Sequence, residues 1–150
     1  MKTKILMVCL GNICRSPLAQ GILESKLDPE LFVVESAGTG SWHVGAMPDK
    51  RSIAVAKKNG LNIGNQRGRH FSSQDFNTYN HIFVMDNSNK DDVLAQAQSE
   101  EHRAKVQLIL DEIFPKENVD VPDPYYGGAR GFEDVYQMLD QACELIASRL

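Results

Sequence analysis

Two residues near the start of the chain have the types and spacing needed to bind and attack an anion. Cys9 and Arg15 lie six positions apart, directly after the apolar run at residues 5–8 and directly before a helix start at Ser16 and Pro17. The five residues between them can curl so that their backbone N–H groups point at a common centre. The N-terminus of the following helix adds its positive dipole end at the same place. The segment therefore predicts an anion site between the first strand and the first helix.

The same segment predicts a chemical step as well as binding. Gly11 and Asn12 tolerate the positive φ that such a loop requires. Arg15 can offer a planar fork to two phosphate oxygens, which lysine cannot. A cysteine in this positive field is expected to ionise readily and become a thiolate nucleophile. A thiolate facing a bound phosphoryl group predicts phosphoryl transfer through phosphocysteine. The alternative, a buried inert Cys9 beside a surface Arg15, leaves the Gly-Asn and Ser-Pro pairs unexplained.

Hydrolysis of a phosphate ester also needs a proton donor for the departing oxygen. The best candidate is Asp123, which stands between Pro122 and Pro124 on a predicted loop at residues 117–130. The two prolines restrict the backbone on both sides of the carboxylate. Taken alone, an Asp-Pro pair more often marks a turn, so the residues by themselves leave both interpretations of Asp123 open.

Residues 9–17 resemble the signature loop of the low molecular weight protein tyrosine phosphatases, and the resemblance extends over essentially the whole chain. The segments 35–39, 85–89 and 123–127 match other landmarks of that family in the same order. The resemblance implies that Cys9 is the nucleophile, Arg15 the phosphate-binding cation and Asp123 the general acid and base. It also implies that Trp42 and Tyr125 flank the entrance and stack on the substrate ring, with Tyr126 beside them. Ordinary surface aromatics remain the alternative for the two tyrosines.

The resemblance assigns further residues to the phosphate-binding loop and its support. These are Leu10, Gly11, Asn12, Ile13, Cys14, Ser16 and Ser36. Side chains of Asn12, Ser16 and Ser36 would hold the loop, and Ser16 would donate to the thiolate. For Ser36, a plain turn residue at a strand end is nearly as good an interpretation. Cys14 is a candidate for a protective, reversible disulfide with Cys9 under peroxide, with simple packing under the loop as the alternative.

The remaining chain has the pattern of a doubly wound α/β domain. Short apolar runs that barely alternate predict buried parallel strands, separated by segments of helical spacing. The predicted strands cover residues 4–8, 32–35, 81–85 and 106–110. The predicted helices run from Ser16, as N-cap, to about residue 28, over 49–59, over 88–98, and from 132 to the end. We expect one phosphatase domain over residues 1–150, with a flavodoxin-like four-stranded sheet in the order 2-1-3-4 and helices on both faces.

Composition limits the classes of partner. The chain has 150 residues, a formal net charge of −4 and an isoelectric point near 5.5, which disfavours nucleic-acid or membrane binding by bulk charge. The N-terminal apolar run is too short for a membrane span and lacks a signal-peptide cleavage site. Three cysteines without an export signal predict reduced thiols in the cytoplasm. The scattered histidines predict no metal site, and we expect no cofactor.

The sequence thus predicts a cytoplasmic protein tyrosine phosphatase, a phosphoric monoester hydrolase acting on phosphotyrosine proteins or aryl phosphates. Inorganic phosphate would be product and inhibitor, and the chain would be a monomer or weak dimer. Three alternatives stay open. A thioredoxin-coupled arsenate reductase needs two further cysteines, and none lies between Cys14 and Cys143. A protein arginine phosphatase carries threonine where Ile13 stands. An inactive phosphotyrosine-binding module is disfavoured by Cys9, Arg15 and Asp123 together.

Overall fold

Four parallel strands form the central sheet of the protein, in the order β2-β1-β3-β4. The coordinates, a computed structural model, describe residues 1–125 and 128–150. The strands are β1 (Thr3–Cys9), β2 (Phe32–Gly38), β3 (His81–Val84) and β4 (Val106–Leu108). The predicted fold class and strand order are confirmed. β4 is shorter than predicted, because the chain turns at its end into a 3₁₀ helix, Ile109–Glu112.

Helices connect the strands, as the pattern predicted, and two short ones were missed. The helices are α1 (Arg15–Lys26), α2 (Lys50–Lys58), α3 (Asp75–Thr78), α4 (Asn87–Leu94), α5 (Glu100–Ala104) and α6 (Ala129–Arg149). Helices α3 and α5 have four and five residues, which is too short to give a periodic apolar face in the sequence.

The sheet is buried on both faces, which explains why its strands read as continuous apolar runs. In β1, Ile5 and Met7 belong to the core shared with α1 and α6, whereas Leu6 and Val8 belong to the core on the other face, with Phe76 of α3. All four β1 side chains are fully buried. This two-sided burial holds β1 in place, and the loop that follows Cys9 begins at the carboxyl end of β1.

Candidate active site

The site lies at the carboxyl edge of the sheet, where the connections of β1 diverge. β1 is flanked by β2 on one side and by β3 on the other, and open α/β sheets bind ligands in the crevice at such a switch point. Cys9 is the last residue of β1, and Asp86 follows β3 at the same edge. The segment 10–14 then connects β1 directly to α1.

A pocket of about 280 Å³ opens at this edge. It is lined by Cys9, Leu10, Gly11, Ile13, Cys14, Arg15, Trp42, His43, Asp123 and Tyr125. The structure therefore brings Asp123 to Cys9 and Arg15, from which the sequence separates it by more than a hundred positions. It also places both predicted wall residues, Trp42 and Tyr125, at the same pocket. Tyr126, the third predicted wall residue, lies outside the described residues.

The Cys9 sulfur is almost completely buried and receives hydrogen bonds from two directions. Its Sγ lies 3.0 Å from the hydroxyl oxygen of Ser16, and the backbone N–H of Asn12 donates to it over 3.3 Å. Asn12 Nδ2 donates to that same Ser16 oxygen over 2.8 Å, so the Ser16 proton is directed to the sulfur. Two hydrogen-bond donors at the sulfur suit an anionic nucleophile.

Asn12 is the centre of the network behind the loop. It adopts a left-handed backbone with φ 58°, as the sequence predicted for this position. Its Oδ1 accepts from the backbone N–H of Arg69 (3.0 Å), and its Nδ2 also donates to Ser36 Oγ (3.0 Å). Ser36 in turn donates to Gln20 Oε1 (2.7 Å). Ser36 thus contacts the loop directly, whereas the sequence had left a plain turn role open, and Gln20 is a support that it missed.

The prediction that Ser16 caps the first helix is wrong. Helix α1 begins at Arg15, its N-cap is Cys14, and no side chain accepts a cap hydrogen bond there. The Ser16 hydroxyl is occupied with the Cys9 sulfur instead. Pro17 is consequently the third helical residue. The first N–H groups of α1 stay free of a side-chain acceptor beside the pocket, which is the arrangement that binds an anion.

Arg15 is buried, with 2% of its surface exposed, and one end of its guanidinium is held by the protein. Nη1 donates to Asp86 Oδ2 (2.7 Å) and to the Val121 carbonyl (2.9 Å), while Nη2 lies 3.8 Å from Asp123 Oδ2. Burial lowers the pKa of Arg15, but the charges of Cys9 and Asp86 outweigh burial and raise it overall. The guanidinium therefore stays charged, with its Nη2 side directed to the pocket.

Asp86 is a functional residue that sequence reasoning did not assign, although its segment matched a family landmark. Its two carboxylate oxygens serve different partners, since Oδ1 accepts from the Asn89 N–H at the start of α4 and Oδ2 accepts from Arg15. Its place directly after the predicted strand 81–85 was the available signal, because β3 neighbours β1 and parallel strands end at the same edge. His43 was also missed, having been considered only as a metal ligand.

Asp123 lies at the rim of the pocket, with 43% of its side chain exposed. Its Oδ1 accepts a hydrogen bond from the backbone N–H of Tyr125 (3.0 Å), and Oδ2 is the oxygen nearer Arg15. Tyr125 and Trp42 are 38% and 73% exposed, so both rings offer surface for a ligand. Among residues 1–125 and 128–150, no group of three or more histidine, cysteine or acidic side chains is arranged to hold a metal ion.

The three cysteines are free thiols and all are buried. Burial, with the nearby charge of Asp49, raises the pKa of Cys14 to about 12. Burial also raises the pKa of Cys143, which packs in α6 against the Ala19 carbonyl. The disulfide between Cys9 and Cys14 therefore stays a prediction for oxidising conditions.

A sequence profile described as low molecular weight phosphotyrosine protein phosphatase matches residues 4–150. The chain belongs to the low molecular weight phosphotyrosine protein phosphatase family. A putative low molecular weight protein-tyrosine-phosphatase of Synechocystis is 42% identical over 144 residues, which cover 93% of this chain and 91% of that protein. The resemblance seen in the sequence is thus confirmed, and with it the prediction of an enzyme that is a phosphoric monoester hydrolase.

Solved structures agree with the low molecular weight phosphatase fold. A protein tyrosine phosphatase of Entamoeba histolytica, with Hepes in its active site, superposes with a TM-score of 0.90 at 36% identity, covering 97% of this chain and 94% of that one. Wzb of Vibrio vulnificus in complex with benzylphosphonate superposes with a TM-score of 0.89 at 33% identity over the full length of both chains. A Drosophila arginine phosphatase superposes with a TM-score of 0.86 at 36% identity, covering 99% of this chain and 97% of that one.

Proposed function

We propose that this protein hydrolyses phosphotyrosine and related aryl phosphates through a phosphocysteine intermediate, with Asp123 as general acid and base. The observation that carries the proposal is the pocket in which the Cys9 sulfur, the Arg15 guanidinium and the Asp123 carboxylate meet. Each supplies one requirement of the reaction: a nucleophile, a cation for the phosphoryl oxygens and a proton carrier.

Substrate binding would use the loop backbone together with Arg15. The N–H groups at the uncapped start of α1 and in segment 10–14 supply donors for the phosphoryl oxygens. Because Asp86 and Val121 hold only Nη1 of Arg15, its Nε and Nη2 are left for two oxygens of the ester. Asp86 thereby fixes the plane of the guanidinium before substrate arrives, which lowers the ordering cost of binding.

In the first step, the Cys9 thiolate attacks phosphorus while the bond to the tyrosyl oxygen breaks. Asp123, in its protonated form, gives its proton to that oxygen, and neutral tyrosine leaves. In the second step, Asp123 takes a proton from water as the water oxygen attacks phosphorus. The phosphorus–sulfur bond breaks, inorganic phosphate leaves and the thiolate is restored. General acid help of this kind contributes about 10²- to 10⁴-fold.

The aromatic rim favours phosphotyrosine over shorter phosphorylated side chains. Trp42 and Tyr125 stand at the mouth, while Cys9 at the base is 2% exposed. A tyrosyl ring can span this depth and stack on the rim, an interaction worth about 0.5 to 1.5 kcal/mol. Phosphoserine lacks the ring and the reach. The benzylphosphonate held by the Vibrio relative is a benzyl group joined to a phosphonate, which is the ligand shape we propose here.

Phosphoarginine is the second candidate substrate, because the Drosophila relative is named an arginine phosphatase. Ile13 lines the pocket at the position where we expect threonine in such enzymes. An apolar wall offers no hydrogen bond to a guanidinium, so we expect phosphotyrosine to be preferred. The third cysteine, Cys143, is fully buried in α6, which argues against a disulfide relay of the arsenate reductase type.

The wider biological setting is part of the same proposal. We propose that residues 1–150 act as one phosphatase domain in the cytoplasm, on phosphotyrosine proteins, as a monomer or weak dimer and without a cofactor. None of the helices in the described part of the chain combines the length and the apolar character needed to cross a bilayer.

The test is hydrolysis of p-nitrophenyl phosphate, a phosphotyrosine peptide and phosphoarginine by purified protein in the presence of a chelator. We expect phosphotyrosine to exceed phosphoarginine in kcat/KM, and Cys9→Ser to abolish turnover. Cys143→Ala is the matched control, since it removes a buried thiol that does not line the pocket. Turnover that survives in Cys9→Ser would remove the proposed nucleophile, and a preference for phosphoarginine would replace the proposed substrate.

A further inference from the structure

Helix α2 is fastened to the loop that binds phosphate, although it contributes none of the proposed catalytic residues. The Asp49 N–H donates to the Ile13 carbonyl (2.8 Å), and the Ser52 hydroxyl donates to the Cys14 carbonyl (3.2 Å). Both contacts engage carbonyl oxygens of the loop. The first turn of α2 therefore has a fixed position relative to the phosphate-binding loop.

Arg51, in that first turn, is held in a single orientation by its neighbour Asp49. Its Nε donates to Asp49 Oδ1 and its Nη2 to Asp49 Oδ2, each over 3.0 Å. Two parallel hydrogen bonds of this kind fix the plane of the guanidinium as well as its position. Asp49 also accepts from the Arg51 backbone N–H as the N-cap of α2.

The guanidinium held in this way contacts two aromatic rings. Its Cζ lies 4.5 Å from the ring centroid of Phe132 and 5.4 Å from that of Tyr125, both within the range of a cation–π contact. Phe132 is buried in the first turns of α6, so it is a rigid support. Tyr125 belongs to the segment that carries Asp123 and is partly exposed.

Tyr125 is in turn connected to Asp123 by the hydrogen bond from its N–H to Asp123 Oδ1. A continuous set of contacts thus runs from the phosphate-binding loop through Asp49, Arg51 and Tyr125 to the proposed proton carrier. We infer that Arg51 is a positioning residue that sets the distance between the Asp123 carboxylate and the bound ester. The inference rests on the proposed function, in which Asp123 protonates the leaving oxygen.

Displacement of the Asp123 carboxyl group should slow the reaction most for esters whose leaving oxygen must be protonated as it departs. For Arg51→Met, which keeps an unbranched side chain but loses the planar cation, we expect kcat/KM on phenyl phosphate, which reports the steps up to departure of the leaving group, to fall about 10- to 100-fold. On p-nitrophenyl phosphate, whose leaving group departs without much help, we expect less than about a threefold loss. Arg51→Lys lacks the fork that pairs with a carboxylate, so we expect most of the same loss.

Arg149→Met is the matched control. Arg149 also makes a two-point ion pair, with Glu112 (2.9 and 3.1 Å), and its side-chain exposure of 45% is close to the 40% of Arg51. It lies seventeen residues along α6 from Phe132, or about 26 Å. We expect this variant to keep the wild-type ratio of rates on the two esters. We also expect the double variant Arg51→Met, Asp123→Ala to show the same ratio of rates on the two esters as Asp123→Ala alone.

A second measurement does not depend on catalysis. Amide hydrogen exchange at Tyr125 reports its hydrogen bond to Asp123, and we expect exchange to accelerate in Arg51→Met but not in Arg149→Met. Equal losses on both esters, additive losses in the Asp123→Ala background, or unchanged exchange at Tyr125 would each overturn the inference. Absence of Cys9-dependent turnover in the wild type would overturn the proposed function instead, and the exchange measurement would still decide whether Arg51 holds this segment.

Discussion

Gly40→Ala should remove one wall of the pocket without touching the groups that bind phosphate. A Cβ at residue 40 would lie 2.0 Å from Cζ3 and 2.4 Å from Cε3 of Trp42. Carbon atoms in contact keep about 3.5 to 4.0 Å, so the overlap is roughly 1.5 Å. Gly40 is not among the glycines with positive φ, and alanine therefore strains no backbone. The indole, which is 73% exposed, is the group that has to move.

The magnitude follows from the stacking that the displaced ring would lose. An aromatic contact contributes about 0.5 to 1.5 kcal/mol, so KM for a phosphotyrosine peptide should rise about 2- to 12-fold. We expect kcat to change little, because Cys9, Arg15 and Asp123 keep their contacts. Trp42 is the single tryptophan of the chain, so its fluorescence emission reports the displacement directly.

A double-mutant cycle with Trp42→Ala is the control for this prediction. If Gly40 acts only through the indole, Gly40→Ala has no further effect on KM once Trp42 is alanine. An unchanged emission spectrum together with an unchanged KM would refute the steric reasoning. An equal rise in KM in both backgrounds would show that Gly40 acts through the loop backbone instead.

Two further predictions concern titrating groups outside the proposed chemistry. Burial raises the pKa of Glu112, but hydrogen bonds from Arg149 and Gln107 outweigh burial and leave it below its ordinary 4.5. The ionised Glu112 carboxylate therefore stabilises the folded state above pH 4.5, and this stabilisation is lost as the pH falls through the pKa of the folded state. Glu112→Gln should therefore lower the free energy of unfolding by about 1 kcal/mol at pH 7, which corresponds to about 2 to 4 °C in Tm, and should leave it unchanged near pH 2. An equal loss of stability at both pH values would contradict this. Because the pKa of Cys14 is about 12, iodoacetamide at pH 7.5 should not label this thiol in the native protein but should label it after unfolding. Peptide mass spectrometry measures the labelling. Labelling of native Cys14 at the rate of a free thiol would contradict the burial that we describe.

Residues 9–17 by themselves determine much of the site. The spacing of Cys9 and Arg15 between a strand and a helix is a local property, since a short loop, its left-handed Asn12 and a helix N-terminus are all fixed by neighbours in sequence. The buried parallel strands could also be predicted from the sequence, because burial on both faces requires apolar residues at successive positions of each strand. The family resemblance then supplied Asp123, which the residues alone left open.

The role of Ser16 shows where local reasoning failed. Ser-Pro is a common start of a helix, and that preference predicted a capping hydroxyl. In the folded protein the same hydroxyl meets the Cys9 sulfur and the Asn12 amide, and these tertiary contacts outweigh the capping preference. The helix begins two residues earlier than predicted, at Arg15 instead of Pro17.

The partners that hold the site were decided only by the tertiary structure. Gln20 and Arg51 carry no local pattern that distinguishes them from surface polar residues, and Asp86 is marked only by its place after a strand and in a segment that resembles the family. They reach the site because the order β2-β1-β3-β4 places the ends of β1 and β3 side by side, and because α2 is hydrogen-bonded to the phosphate-binding loop and packs against α6. The sequence by itself thus determined which groups can do the chemistry, since reactivity belongs to residue type and local backbone. Their distances and orientations depend on contacts between segments remote in sequence, which only the folded chain defines.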